Sequence, residues 1–288
     1  MTILLALANP FGQPFLVHGL VATAAIAVAA GPIGWFVVAR REAFAAHTLS
    51  MMAFPGGAVG AALGLPFGAG YFVLCFLAAL LLSTLRGRAA ALRWLEEPAL
   101  VGTVGVAALA AGFLALALYG GVLEDLEALL FGSPFGVSAG AALALGGVAA
   151  LVVAFFAVAG RPLLLATVDP QLARAAGVPA GAVEAAFVVL LGFVVAATAQ
   201  VSGALLVFSL LVAPPAAAQR LTSSVATAFA LSFLFALGVG WLGLILSYWT
   251  NLPPGFLLSA LGLGLYLLAT FARLIGTVPL RRPGAVRV

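Results

Sequence analysis

A chain of 288 residues with 65% hydrophobic and only 7% charged residues cannot clothe itself for water, since a soluble domain carries about a quarter charged residues. The formal net charge of +4 comes from twelve basic residues, all arginine, set against eight acids. In a soluble protein that excess would point to nucleic acid; in a chain this apolar it matches the positive charge retained on the cytoplasmic side of membrane proteins, and no nucleic-acid partner is expected. The apolar runs are continuous over about twenty residues, the length a helix needs to cross the hydrocarbon, whereas barrel strands alternate apolar and polar over about ten. The expected fold is therefore all-α: a polytopic helix bundle in one domain.

Taken in order, the chain opens on MTILLALANPFGQPF, which has no positive region and does not resemble a cleaved signal peptide. Nine spans follow. The first covers about Phe15–Val38 and ends on Arg40-Arg41. The second, about Phe44–Leu63, is interrupted by Pro55-Gly56-Gly57. After the turn at Leu65–Gly68 the third runs to about Leu85, followed by Arg86, Arg88, Arg93 and the pair Glu96-Glu97. The fourth, about Ala99–Tyr119, ends at Glu124, Asp125 and Glu127. The fifth, about Val137–Ala159, ends on Arg161. A polar segment, Asp169 to about Pro179, precedes a sixth span ending near Ala199. The seventh covers about Ser202–Ala218 and the eighth about Val225–Trp249. After the Asn251–Gly255 turn, the ninth, about Phe256–Phe271, leads to Arg273, Arg281, Arg282 and Arg287.

Charge checks this count. With nine spans, the N-terminus outside and the C-terminus cytoplasmic, all twelve arginines fall inside and the acids Glu124–Glu127 outside. Arginine in short loops stays cytoplasmic, and an error of one span would break the sorting for every later arginine. Tyr248 and Trp249 fall where an outer aromatic belt would lie. Glycines within spans, such as Gly56, Gly57, Gly60, Gly240 and Gly243, permit close helix packing; Gly262 and Gly264 have no assigned role.

No catalytic constellation is present, so the chain is not expected to be an enzyme. His18 and His47 are far apart, and the single Cys75 sits in an apolar run as a small buried hydrophobe. No P-loop pattern occurs, so any ATP would be hydrolysed on another chain. All eight acids lie in loops or near span ends, which argues against a proton-driven pump, because such proteins place ionisable groups within the membrane. A stand-alone secondary carrier for a small neutral solute remains an alternative.

Two features stand out. Pro55 and Pro214-Pro215 lie inside spans, where proline breaks the hydrogen-bond ladder. The freed carbonyls either accompany simple packing kinks or line a water-filled path. Between spans five and six, Asp169-Pro170 reads as a helix cap followed by a proline at the first helical position. Gln171 to Ala176 are good helix formers, and Gly177 is a C-terminal stop.

Five stretches, in order, resemble the permeases of the metal-ion ABC-3 family: HTLSMMAFPGGAVGAALG, LEEPALVGTVGVAALAAG, LEALLFGS, DPQLARAAGVP and VSGALLVFSLLVAPPAAAQRL. The resemblance spans nearly the whole chain. It implies a type II ABC importer-like permease domain over residues 1–288 in a bacterial plasma membrane, moving zinc or manganese and binding no cofactor of its own. It implies a second copy of the chain and two ATP-binding subunits docked on the coupling segment 169–179, through Asp169, Leu172, Ala173, Arg174 and Gly177. It also implies an extracytoplasmic metal-binding protein docked near Phe131–Pro134 and Asn251–Gly255. The candidate pathway residues are His47, Ser50, Met51, Pro55 and Pro214. One departure matters. Aligning Pro55-Gly56 on the family's Pro-Gly puts Met51 where histidine is common and His47 where aspartate is common. Zinc favours imidazole, thiolate and carboxylate, and thioether suits softer ions. Either the binding protein selects the metal and the permease needs no ligand, or the substrate is neither zinc nor manganese.

Overall fold

The computed structural model describes residues 13–87, 97–119 and 129–276. Glu96, Glu124, Asp125, Glu127, Arg88, Arg93, Arg281, Arg282 and Arg287 lie outside them, as does the N-terminal stretch before Gln13. Among the described residues all regular structure is helical. The helices are α1 (Pro14–Ala39), α2 (Ala43–Met51), α3 (Ala53–Ala62), α4 (Phe67–Gly87), α5 (Glu97–Tyr119), α6 (Ala139–Val168), α7 (Pro170–Ala175), α8 (Ala180–Ser202), α9 (Phe208–Leu211), α10 (Ala213–Leu221), α11 (Val225–Thr250) and α12 (Pro254–Leu274). Helices α1, α6, α8, α11 and α12 are long and apolar enough to cross a membrane unaided, and α4 and α5 hold shorter apolar stretches. With α2–α3 and α9–α10 as composite crossings, the described residues give nine passes.

Small residues set the packing. Gly19, Thr23 and Gly31 of α1 lie against Leu244, Gly240 and Phe233 of α11, so the two helices run antiparallel. Gly56 of α3 meets Gly70 of α4 backbone to backbone, and Gly192 of α8 lies over Cys75 and Ala79 of α4. In lipid there is no hydrophobic drive between helices, so such close approach supplies the association energy through van der Waals contact. Cys75 is fully buried, its Sγ 3.4 Å from the Leu49 carbonyl. A second nucleus is aromatic. Phe36 of α1 stacks on Phe156 of α6 at 5.5 Å and meets Phe187 of α8 edge-on at 5.9 Å, while Trp35 meets Phe229 of α11 at 5.4 Å. Each such pair contributes about 0.5–1.5 kcal/mol beyond its buried area.

Three elements differ from the sequence reading, each for a local reason. The second span breaks at Met52, ahead of Pro55-Gly56-Gly57: α2 stops at Met51, the residue whose carbonyl the ring of Pro55 would strike four positions on. The seventh span is not one helix. The chain leaves helix over 203–207, makes the single turn α9, and restarts as α10 with Pro214 and Pro215 in its first turn; α9 ends at Leu211, four residues before Pro215, by the same rule. The fifth span continues past Ala159 to Val168, through exposed Arg161 and the internal Pro162. A charge marks the edge of the hydrocarbon rather than the end of a helix. At 1.5 Å per residue, the 30 residues of α6 span about 45 Å, beyond the ~30 Å of a bilayer core. Its last turns form a stalk.

The described arginines gather at one end of the bundle. Arg40 contacts Thr167 and Glu184, Gln219 donates to the Trp35 carbonyl, and Arg220 donates to Tyr266 of α12. Tyr248, Trp249, Phe131 and the Asn251–Gly255 turn lie at the opposite end, where Asn251 ends α11 in the left-handed conformation. Gly262, without a role in the sequence, packs against the Ser209 carbonyl of α9, whereas Gly264 faces open space.

Candidate functional site: a capped helix on a stalk and two broken helices

Helix α7 hangs from the stalk of α6. The Asp169 backbone is extended, and its carboxylate accepts from the amides of Gln171 and Leu172 at 3.0 and 2.9 Å. These are the donors that an N-cap satisfies. Pro170 holds the first position and Gly177 closes the element at φ +72°; a Cβ added there would touch nothing, so glycine serves the backbone angle rather than a tight fit. Ala173 is fully buried and seats α7 against the bundle, while Leu172 is 54% exposed and Arg174 also faces outward. Asp169→Ala is expected to lower stability by about 1 kcal/mol while Asp169→Asn or Ser retains most of it, measured by thermal unfolding of the detergent-solubilised chain.

Beside α7 lies a cluster that sequence reading missed. The Arg40 side chain is 14% exposed, and its guanidinium donates from Nε to Glu42 Oε1 at 2.9 Å and from Nη2 to Glu184 Oε1 at 3.2 Å. Its Nη1 donates to Thr167 Oγ1 at 3.3 Å, and that hydroxyl donates to the Leu163 carbonyl at 2.7 Å. The guanidinium also lies 5.7 Å from the centre of the Phe187 ring. Burial works against the charge, but the Glu42 and Glu184 carboxylates more than offset it, so the pKa of Arg40 rises above its ordinary value. A raised cationic pKa contributes stability at all pH values below the ordinary one, lost only as pH climbs through the folded value, so the cluster stays intact across neutral pH. In sequence, Arg40 marked only a span boundary and Glu184 was only one of eight acids in loops or near span ends; 144 positions separate them, and only tertiary packing pairs them.

The candidate pathway residues are distributed over three elements. Ser50 is buried and donates to the His47 carbonyl at 2.7 Å. The His47 ring meets Phe208 of α9 edge-on at 5.2 Å, and its Nδ1 is buried with no hydrogen-bond partner. Met51, one turn further along α2, is half-buried and faces Gly105 of α5. Pro55 is buried in α3 against Gly112 of α5, and Pro214 is buried in the first turn of α10. The two broken helices thus meet through His47 and Phe208, while Met51 faces α5. Among the described residues no group of three or more His, Cys, Asp or Glu could hold a metal ion.

At the opposite end, the segment after Leu129 is strapped across the bundle. The amides of Ala204 and Leu205 donate to the carbonyls of Leu129 and Leu130 at 3.3 and 3.2 Å. Gly132 and Gly203, at φ +80° and +79°, approach backbone to backbone. Gly255 lies beside the Phe131 carbonyl and Leu206. The two turns expected to dock a partner therefore adjoin, and with Phe131 50%, Leu252 44% and Trp249 53% exposed they form an apolar rim.

Together these features define a multi-pass helical membrane protein that presents a small capped helix at its arginine-bearing end. Residues 12–273 match the model of the ABC 3 transport family, and the chain belongs to that family. It is similar to the manganese transport system membrane protein MntC of Halalkalibacterium halodurans, at 27% identity over 257 residues covering 89% of this chain and 87% of that protein. It is also similar to the high-affinity zinc uptake system membrane protein ZnuB of Haemophilus influenzae, at 28% over 270 residues covering 90% and 97%. Among solved structures it resembles PsaBC from Streptococcus pneumoniae in complex with Fab, with a TM-score of 0.79 and 25% identity, over 89% of this chain and 91% of that one.

Proposed function

We propose that this chain is the membrane permease subunit of an ATP-driven importer of a divalent metal ion, manganese or zinc. The observation that carries the reading is the family match over residues 12–273, to which relatives of manganese and zinc transport systems add the cargo. In this reading the N-terminus is outside and α7 is cytoplasmic, where two ATP-binding subunits engage Leu172 and Arg174. Asp169, Ala173 and Gly177 hold that surface in place. A second copy of the chain completes the translocation path. The apolar rim around Phe131 and Asn251–Gly255 receives an extracytoplasmic metal-binding protein. Metal passes along the two broken helices, by His47, Ser50, Met51, Pro55 and Pro214. A path with few strong ligands suits this role, because conduction needs sites weak enough to release the ion, and selection then falls to the binding protein.

The test is metal accumulation by the full complex in proteoliposomes, with its own binding protein, offered manganese, zinc, iron and copper and read by elemental analysis. ATP-dependent accumulation of manganese or zinc is expected. Solute movement by the chain without any ATP-binding subunit would instead establish a secondary carrier. Selectivity that persists after the binding protein is exchanged would make His47 and Met51 determinants of the cargo.

A further inference from the structure

We propose that Arg40 is a positioning residue that transmits movement of the capped helix α7 to the broken crossing α2–α3. The inference rests on the permease reading above and adds the part that links its two ends.

The geometry is that of a joint between three elements. Thr167 stands two residues before Asp169, the cap of α7, on the last turn of the stalk. Glu184 lies five residues into α8, the helix that follows α7. Glu42 is the residue at which α2 begins. One guanidinium bonds all three, at 3.3, 3.2 and 2.9 Å. The planar fork of arginine offers donors in fixed directions, so a shift of either neighbour of α7 must move the guanidinium or break a bond. What moves with the guanidinium is the start of α2, whose far end is the break at Met52 and whose side carries His47 against Phe208. The three helices around this joint are packed through Phe36, Phe156 and Phe187, and packed cores transmit displacement rather than absorb it. A device serving only to hold the fold would need no partner on both flanks of the exposed helix. This one has Thr167 before it and Glu184 after it.

The Glu184 side chain is 44% exposed, which makes it the contact to remove with least damage to the core. The experiment uses the complete complex of permease, ATP-binding subunit and metal-binding protein in proteoliposomes, with manganese and zinc as probes, and reads metal ions moved per ATP hydrolysed. Glu184→Gln is expected to lower that ratio by roughly fivefold or more, the lower range of a coupling free energy. Arg40→Lys, which keeps the charge and loses the fork, should fall between wild type and Arg40→Gln. The double variant Arg40→Gln/Glu184→Gln should be no worse than the poorer single one, because both interrupt one contact. Should Arg40→Gln not assemble, Thr167→Val removes the stalk contact in its place. A wild-type ratio in Glu184→Gln, or uptake and hydrolysis falling in parallel as for a purely structural residue, overturns the inference and leaves the permease reading standing. A wild-type complex that moves neither metal overturns both.

Discussion

Replacing both Leu172 and Arg174 by glutamate is expected to abolish ATP-dependent metal uptake while leaving the chain folded. Leu172 is an apolar side chain standing 54% exposed on a six-residue helix, a cost to the isolated protein unless a partner covers it. Arg174 lies in the last turn, where a cation complements the helix dipole by about 0.3–1 kcal/mol and an anion opposes it. Loss of an interface anchor costs about 2 kcal/mol or more, so two in one docking helix give about 4 kcal/mol, close to a thousandfold in affinity. Ala173, which seats α7, is untouched, so the permease should stay folded, with its melting temperature lowered only by the small dipole cost at Arg174. The measurement is co-purification of the ATP-binding subunit together with uptake by the complete complex. Undiminished uptake in the double variant would remove α7 from the coupling path.

The second large effect is expected at the opposite end of the bundle. Gly203→Val should prevent accumulation of folded protein. Gly203 has φ +79° and ψ 159°, a region essentially confined to glycine that costs other residues about 1–3 kcal/mol. A Cβ there would also collide with the backbone of Leu130, Phe131 and Gly132, none of which can yield without releasing the bonds from Ala204 and Leu205. The loss should therefore exceed the conformational cost alone. Gly264→Ala is the matched control. That glycine meets nothing within 4 Å, so alanine in the helix interior should be neutral or stabilise by up to about 1 kcal/mol. Fluorescence-detected size exclusion and thermal unfolding in detergent compare the two. A Gly203→Val chain that melts like wild type would mean the strap between segment 129–132 and the α8–α9 link is not part of the fold.

Much of the architecture was legible in the residues because lipid imposes a simple rule. A spanning segment must be apolar for about twenty residues and must satisfy its own backbone, so α1, α4, α5, α8, α11 and α12 follow directly from composition. The α7 element was legible for another reason: Asp, Pro and Gly act through their own backbone and side chain, independent of any distant partner. The breaks were legible in kind and misjudged in place. A proline announces a discontinuity, but the helix yields at the carbonyl four residues earlier, so α2 stops at Met51, four before Pro55, and α9 at Leu211, four before Pro215. The extension of α6 past Arg161 was hidden because hydropathy reports the lipid boundary and is silent about a helix that continues into water.

By itself the sequence determined the number of passes, the polarity of the arginines along the chain and the existence of a capped polar helix. These properties depend on residues near one another in the chain and on the solvent around them. The tertiary structure alone decided which elements meet: Arg40 with Glu184 and Thr167, His47 with Phe208, and Gly132 with Gly203. Apolar helices carry little information about their neighbours, because lipid and protein satisfy their side chains alike. Partner choice rests on a few glycines and one guanidinium whose complements lie far along the chain, as Leu244 does from Gly19 and Glu184 from Arg40. The Arg40 cluster beside the capped helix is therefore a property of the packed bundle, set by how closely those backbones can approach.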